Sequence, residues 1–365
     1  MRHFFKSAAL VVFVLSANLA HADGDFKRWA VSVGWLHVMP QGSANSTNIN
    51  TAVENGGNYG VGNNLKGADL LLSKNLDDVV NQSNNILVTN VIKSLKSNVA
   101  KNPDYLVSSL ITNSAKADVY GISDWSNNAG LEADDVDTLG LTLSYFVNDH
   151  VSLELIGGVP PKVDIKGKGK IVASASSIAN STAAIPSLIN GVEINKDILI
   201  TDLGGHGKVA EVTAWTPAIT AKYHFGKSGV NKFRPFIGAG VVYGHFNKLK
   251  LNGGVEQDLI NAGHMVQNVL DGNAGEALQN SGKSSANPVV KVKTDDAFAP
   301  VVTAGFSYDL TERWFTTASL TYMPDFHNTA TIIVSDSKTG NQLIKANTKV
   351  DLDPLITYVG VGYRF

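Results

Sequence analysis

Residues 355–365 read LITYVGVGYRF and alternate throughout. Leu355, Thr357, Val359, Val361, Tyr363 and Phe365 share one face of a strand; Ile356, Tyr358, Gly360, Gly362 and Arg364 share the other, because strand side chains alternate with period two. The first face is large and apolar, the second mostly small with a charge near its end. Residues 26–39 repeat the pattern: Trp29, Val31, Val33 and Trp35 oppose Ala30, Ser32, Gly34 and Leu36, and Pro40 and Gly42 end it. Six further runs show the same period, over residues 138–147, 151–165, 208–225, 233–246, 297–308 and 314–334. The spacing therefore predicts eight strands.

The connections between them alternate strictly between long and short. Residues 41–136, 166–207, 247–294 and 335–349 are long; 148–150, 226–232 and 309–313 are tight turns. An even number of antiparallel strands joined this way is the layout of an outer-membrane barrel, with short turns at one end and long loops at the other. The runs meet or exceed the roughly 9–11 residues that a tilted span needs. Trp29, Trp35, Tyr223, Phe225, Trp314, Tyr363 and Phe365 lie near strand ends, where interface girdles require aromatics.

The longest connection has a different period. Leu76, Val79, Val80, Val88, Val91, Ile92, Leu95 and Val99 recur at helical spacing until Asn102-Pro103 stops them, and residues 106–111 predict a shorter helix. The polar face of this stretch is rich in Asn and Ser rather than Lys and Arg. That favours a helical insertion folded over its own strands above a membrane-surface helix. Short helical pieces are expected around residues 185–200. Pro160 and Pro161 interrupt the third strand; lacking N–H groups, they demand a bulge, an unpaired stretch or a seam.

The beginning of the chain sets the compartment. Arg2 and Lys6, an apolar run over residues 8–15 and the small-residue site Ala20-His21-Ala22 describe a secretory signal peptide over residues 1–22. Its apolar run falls short of the about 20 residues of a spanning helix. Removing it takes away two of 30 basic residues and none of the 32 acidic ones, leaving 28 against 32, a net charge of −4. No basic block stands out, so nucleic acid is not an expected partner. There are no cysteines, so packing or a closed sheet must hold the exported chain together. With no other apolar run of spanning length, a membrane form has to be a closed barrel.

Height along the strands divides the inward face. The upper inward set contains Leu36, Val38, Ile156, Pro160, Val212, Val242, Phe246, Met323 and Ile356; the lower contains Arg28, Glu154, Lys222, His224 and Arg364. An apolar funnel above a charged plug suits a hydrophobic ligand, which gains by entering a poorly hydrated lining. The same residues also suit a simpler role. A narrow eight-stranded barrel is filled by its own side chains, and charges in a low-dielectric lumen pair for structural reasons. His37, His224, His245 and His327 lie on strands but in no nucleophile motif, and no metal-ligand spacing occurs. The chain is read as a non-enzyme without catalytic residues, cofactor or metal.

Phe233–Phe246 preceded by Asn231-Lys232, the 314–325 run with Tyr322-Met323, Gly158-Val159-Pro160, and Leu352-Asp353-Pro354 leading to Gly362-Tyr363-Arg364-Phe365 resemble the OmpW family of outer-membrane proteins. The similarity covers all eight strands, while the first three long connections are enlarged. The resemblance implies a monomeric eight-stranded barrel in outer-membrane lipid, both termini periplasmic, that passes small hydrophobic molecules. Its apolar tunnel would open outward and release substrate sideways into the membrane. Residues 23–365 then form one barrel, with 41–136 a long, partly helical extracellular insertion. The competing expectation is a structural or adhesion barrel that presents its large loops to a partner.

Overall fold

A computed structural model of the protein describes residues 27–125, 129–181, 190–280 and 282–365. The expected signal peptide lies outside the described residues. Eight strands close into an antiparallel barrel: Trp29–Met39, Val136–Phe146, Val151–Gly158, Ala218–His224, Phe233–Leu251, Ala297–Asp309, Trp314–Tyr322 and Leu355–Arg364. Each pairs with the next in sequence, and the last pairs with the first from Ala30↔Arg364 to Met39↔Leu355. No described helix is long and apolar enough to cross a membrane. Val31, Val33, Leu141, Leu153, Ile219 and Val241 are exposed on the outer wall, while Ala30, Ser32, Ser152 and Thr220 are buried inside. This is the apolar-out alternation of a lipid-facing barrel.

Three of the long runs break at proline. The 151–165 run divides at Pro160-Pro161 into Val151–Gly158 and Lys162–Lys168. The 208–225 run divides at Thr216-Pro217 into Lys208–Trp215 and Ala218–His224. The third divides over residues 323–326, where Pro324 lies and Asp325 has a φ of 56°, into Trp314–Tyr322 and His327–Asp336. Proline removes a ladder donor and permits a change of direction. Beyond these breaks the strands leave the barrel and build a cap over the end that carries the long connections.

The cap contains two four-stranded sheets. One joins Val192–Asp202, Lys170–Ser181, Ala115–Tyr120 and Gly57–Gly60; the other joins Pro288–Thr294, His327–Asp336, Gln342–Asp351 and Asn48–Thr51. Helices fill the spaces between them. In Ile86–Lys101 the Asn85 side chain accepts from Leu87 N at 2.9 Å, and Val88, Ile92 and Leu95 are buried at helical spacing. Helix Gly253–Leu270 is capped likewise by Asn252, 2.8 Å from Gly254 N, and buries Val255, Leu259, Ala262, Val266 and Val269.

Two expectations are corrected here. The described part of the 185–200 stretch is strand, not helix: Val192, Ile194, Ile198 and Ile200 are buried and β-branched, and they pair with Lys170–Ser181. Residues 185–189 of that stretch lie outside the described residues. The 335–349 connection is a hairpin, with Gln342–Asp351 returning along His327–Asp336.

The turn of that hairpin depends on one carboxylate. Asp336 accepts from Asn287 N at 2.8 Å, Lys338 N at 3.2 Å, Thr339 N at 3.2 Å and Thr339 Oγ1 at 2.8 Å. These donors, Asn287 N foremost, lower its pKa from 3.8 to about 2. A folded-state value below the unfolded one contributes stability that is fully present above 3.8 and lost as the pH falls through about 2. Protection of the Asn287, Thr339 and Gly340 amides against exchange, relative to the unstructured rate at the same pH, should fall across that window. In Asp336→Asn it should be faster at neutral pH and lose this step.

Candidate functional site

A cavity of about 290 Å³ runs from the middle of the barrel into the cap. Its lining includes Leu36, Val38, Ile156, Pro160, Val212, Phe246, Met323 and Ile356, eight of the nine residues expected there, with Val212 standing on the Lys208–Trp215 strand beyond the barrel. Val242 is not among them. It is fully buried behind the lining, against Ala218, Ala299, Val301 and Met323. It faces inward as its parity demands, but its neighbours fill the space in front of it. The upper section comes from the enlarged connections, through Ile49, Trp125, Ile200, Leu203, Val255 and Leu259. No periodicity within the barrel strands signalled these residues. The Gly253–Leu270 helix that supplies the last two falls in the 247–294 stretch, which the sequence reading left as a connection; the 3.6-residue spacing of Val255, Leu259, Ala262, Val266 and Val269 is the signal that would have found it.

The floor separates this chamber from a smaller one of about 30 Å³. Tyr358, Glu154, Thr142 and Ser319 border both. The Tyr358 hydroxyl bonds Ser32 Oγ at 2.8 Å, and Ser32 Oγ bonds Thr142 Oγ1 at 2.6 Å. Beneath them lie the charges. Glu154 takes a salt bridge from Lys222 and a hydrogen bond from Ser144 Oγ at 2.9 Å; Lys222 Nζ sits 4.3 Å from the Phe236 ring centroid. Arg364 donates to Asp309 at 2.6 Å and lies 4.4 Å from the Phe315 ring centroid. His224 Nε2 meets Ser152 Oγ at 2.8 Å.

Four of the five expected plug residues thus gather in the lower lumen. Arg28 does not: it is exposed at the turn end, where it donates to Val147 O at 3.3 Å. One residue from the strand's start, it has water within reach and no reason to fold inward. Asp309 and Arg234, both buried in the floor, were missed. They sit at strand ends, where the alternation is too short to fix a facing.

The wall beside the chamber is incompletely paired. Val136–Phe146 and Val151–Gly158 pair as far as Gly140↔Gly158, and Val159 N reaches Leu139 O at 2.9 Å. Bonding resumes only at Asp134 N→Asp164 O, 2.9 Å, so the prolines fall in the gap. On the other edge the ladder ends at Ala218↔Ile156; Ala214 N reaches Pro161 O at 3.0 Å, and pairing restarts one residue out of register at Thr213↔Lys162. Gly157 still pairs with Leu141 on the first edge but lies one residue past the end of the ladder on the second. It shares the outward face of Leu153 and Leu155, a Cβ there would meet no atom within 4 Å, and yet it borders the chamber.

The buried ion pair generates a prediction about stability. Lys222→Met leaves Glu154 buried without its counter-charge and should destabilise the barrel by about 3–5 kcal/mol. Adding Glu154→Leu should recover most of that loss. Denaturant unfolding of the native chain and the two variants in lipid vesicles measures both steps. A single variant as stable as the native chain would deny the pair any structural role.

The OmpW family profile matches residues 106–269 and 273–365. The chain is 25% identical over 228 residues to Outer membrane protein W of Vibrio cholerae serotype O1, covering 62% of this chain and 73% of that one. Among solved structures it is similar to the outer membrane protein OprG of Pseudomonas aeruginosa, at 15% identity and a TM-score of 0.48, covering 93% and 96% of the two chains. It is also similar to the outer membrane protein AlkL determined in DMPC bilayers, at 15% identity and a TM-score of 0.39, covering 95% and 94%. With its profile match spanning most of the sequence, the chain belongs to the OmpW family and is an outer-membrane β-barrel protein.

Proposed function

We propose that the protein takes up small hydrophobic molecules into the apolar chamber and releases them sideways into the membrane, without catalysing a reaction. The observation that carries this reading is Gly157. A glycine on the lipid-facing side of the wall, with open space where a side chain would stand, borders the internal chamber. The missing ladder bonds around Pro160 and Pro161 supply the break that a lateral exit needs. An apolar lining of this size takes an apolar ligand because water is poorly accommodated there. The polar floor stops the same ligand from continuing along the barrel axis. In this reading the barrel acts as a monomer, both termini face the periplasm, and the cap stands outside the cell as the upper wall of the chamber.

The test separates the side exit from the chamber itself. Gly157→Trp puts a bulky side chain beside the seam at a position where a Cβ meets no atom within 4 Å. It should leave the barrel folded and abolish most transfer of a hydrophobic fluorescent probe into vesicle lipid, while probe binding persists. Ile156→Asp puts a carboxylate into the chamber and should weaken probe binding at least about tenfold, a cost of about 1.4 kcal/mol. Unchanged transfer in Gly157→Trp would remove the lateral route. Unchanged binding in Ile156→Asp would make the chamber a packing gap.

A further inference from the structure

Two neighbouring faces of the cap carry exposed lysines, and they differ in what those lysines meet. On Lys162–Lys168 and Lys208–Trp215 the cations are paired: Lys162 and Lys208 with Glu211, Lys208 also with Asp164, Lys166 with Asp134 and Lys168 with Glu132. On the next face they are not. Lys248 and Lys250 lie near the end of Phe233–Leu251, Lys291 and Lys293 on Pro288–Thr294, and Lys345 on Gln342–Asp351. All five are exposed, and among the described residues none of them forms an ion pair.

Parity puts the five on one side. Leu249, Leu251, Val292, Thr294, Ile344 and Ala346 line the chamber, so the lysines between them point away from it, to the outside of the cap. Lys291 stands opposite Ile333 and Ile333 opposite Lys345, so two lysines flank one residue of the middle strand. Thr294 Oγ1 donates to Phe246 O at 2.9 Å, which joins the strand of Lys293 to that of Lys248. The carboxylates around the face are mostly engaged. Glu211, opposite Lys250, is held by Lys162 and Lys208, Asp351 by Lys349 at 3.0 Å, and Asp296 by Tyr243 and His245. Asp295 and Asp325 are left at the lower edge, against five lysines.

Height decides what the charge is for. Lys248 is three residues beyond His245 and Lys293 three before Asp296, about 10 Å along the strand at about 3.3 Å per residue. At and below the Tyr243–His245–Asp296 group the outer wall is apolar. Phe298 is 74% exposed with its ring 5.0 Å from that of Tyr243, and Val241 and Val302 are exposed beside it. A partner that covers both the wall and the lysines is apolar at one end and anionic at the other. A soluble polyanion would use the lysines and leave Phe298 uncovered.

We propose that this face of the cap holds the phosphate groups of lipids in the leaflet at the cap end, with their acyl chains on the wall below Phe298 and Tyr243. An ammonium group is a compact charge with three donors on a flexible stem, which suits a mobile headgroup. The paired face next to it has no spare charge to offer, so the lipid gathers on one side of the barrel. The site uses neither the chamber nor the seam, and its loss would leave the uptake reading untouched.

Lipid retention by the full-length barrel tests this. The barrel is placed in phosphatidylcholine nanodiscs doped with bisphosphorylated lipid A and extracted into mild detergent, and the lipid A kept per barrel is counted by native mass spectrometry. The native chain should keep lipid A in preference to phosphatidylcholine. Lys248→Gln, Lys291→Gln, Lys293→Gln and Lys345→Gln combined should lower retention at least about tenfold. Lys248→Gln with Lys293→Gln should give a smaller loss, and it carries the test if the fourfold variant does not fold. Lys162→Gln, Lys166→Gln and Lys168→Gln combined, on the paired face, should retain the native amount. Equal loss from the two faces overturns the proposal, as does equal retention of dephosphorylated lipid A or undiminished retention in the variants of the unpaired face. Heparin that outcompetes lipid A on the native barrel would reassign the face to a soluble polyanion and overturn it too.

Discussion

The hydrogen-bonded seam between the first and last barrel strands is the constraint on which everything else depends. Lipid offers no partner to an unpaired N–H or C=O, and each such group costs several kcal/mol, so a sheet in a bilayer must close. The seam runs from Ala30↔Arg364 to Met39↔Leu355. Closure with eight strands makes the interior narrow, and a narrow interior has to be filled by side chains. The chamber exists only where that filling fails, toward the cap. The wall is interrupted beside Pro160-Pro161, where no strand donor is available.

One aromatic ring decides where the filling stops. Gly140, Gly34 and Gly360 are neighbours across three strands on the inward face. A Cβ on Gly140 would come within 2.9 Å of Tyr358 Cε2, and one on Gly360 within 2.5 Å of its hydroxyl oxygen. The glycines clear the width that lets Tyr358 lie across the lumen and reach Ser32. Above the ring the lining is apolar. Below it, ions are paired in a space closed to bulk water, where a pair satisfies charges that could not stand alone. The two halves of the barrel therefore need no separate domains; a row of small residues and one ring divide them.

Much of this was legible in the sequence. Period-two alternation identified every barrel strand, because one face of each meets lipid and the other meets the lumen. It also put Glu154, Lys222, His224 and Arg364 inside, where the structure has them. Pro160-Pro161 marked one place where a strand leaves the barrel; Pro217 and Pro324 mark the other two but were read through as parts of continuous strands. The cap sheets were illegible for a physical reason: Lys170–Ser181 alternates Ala with Ser and Asn, and such small contrast in size and polarity carries no clear face. The chamber's upper wall was hidden because it is assembled from segments far apart in the chain. Val242 shows the limit of parity. Facing inward does not tell whether a neighbour such as Ala299 or Met323 stands in front.

The outer surface sets the height of the proline break. Trp35 and His37 both bond Asp137, at 2.9 and 2.8 Å, and His37 stacks on Trp35. Across the barrel, four strands away, Tyr243 and His245 bond Asp296 at 2.8 and 2.7 Å, with the same stacking. Each trio is an aromatic and a histidine two residues apart on one strand, held by an aspartate from the next. These groups belong at the level where hydrocarbon gives way to headgroups, since a carboxylate facing acyl chains would be costly. Leu139, one turn of the pleat below Asp137, pairs with Val159 at the edge of the break. The gap in the ladder thus lies along the upper margin of the apolar belt. At that height the gap would have acyl chains below it and headgroups above it.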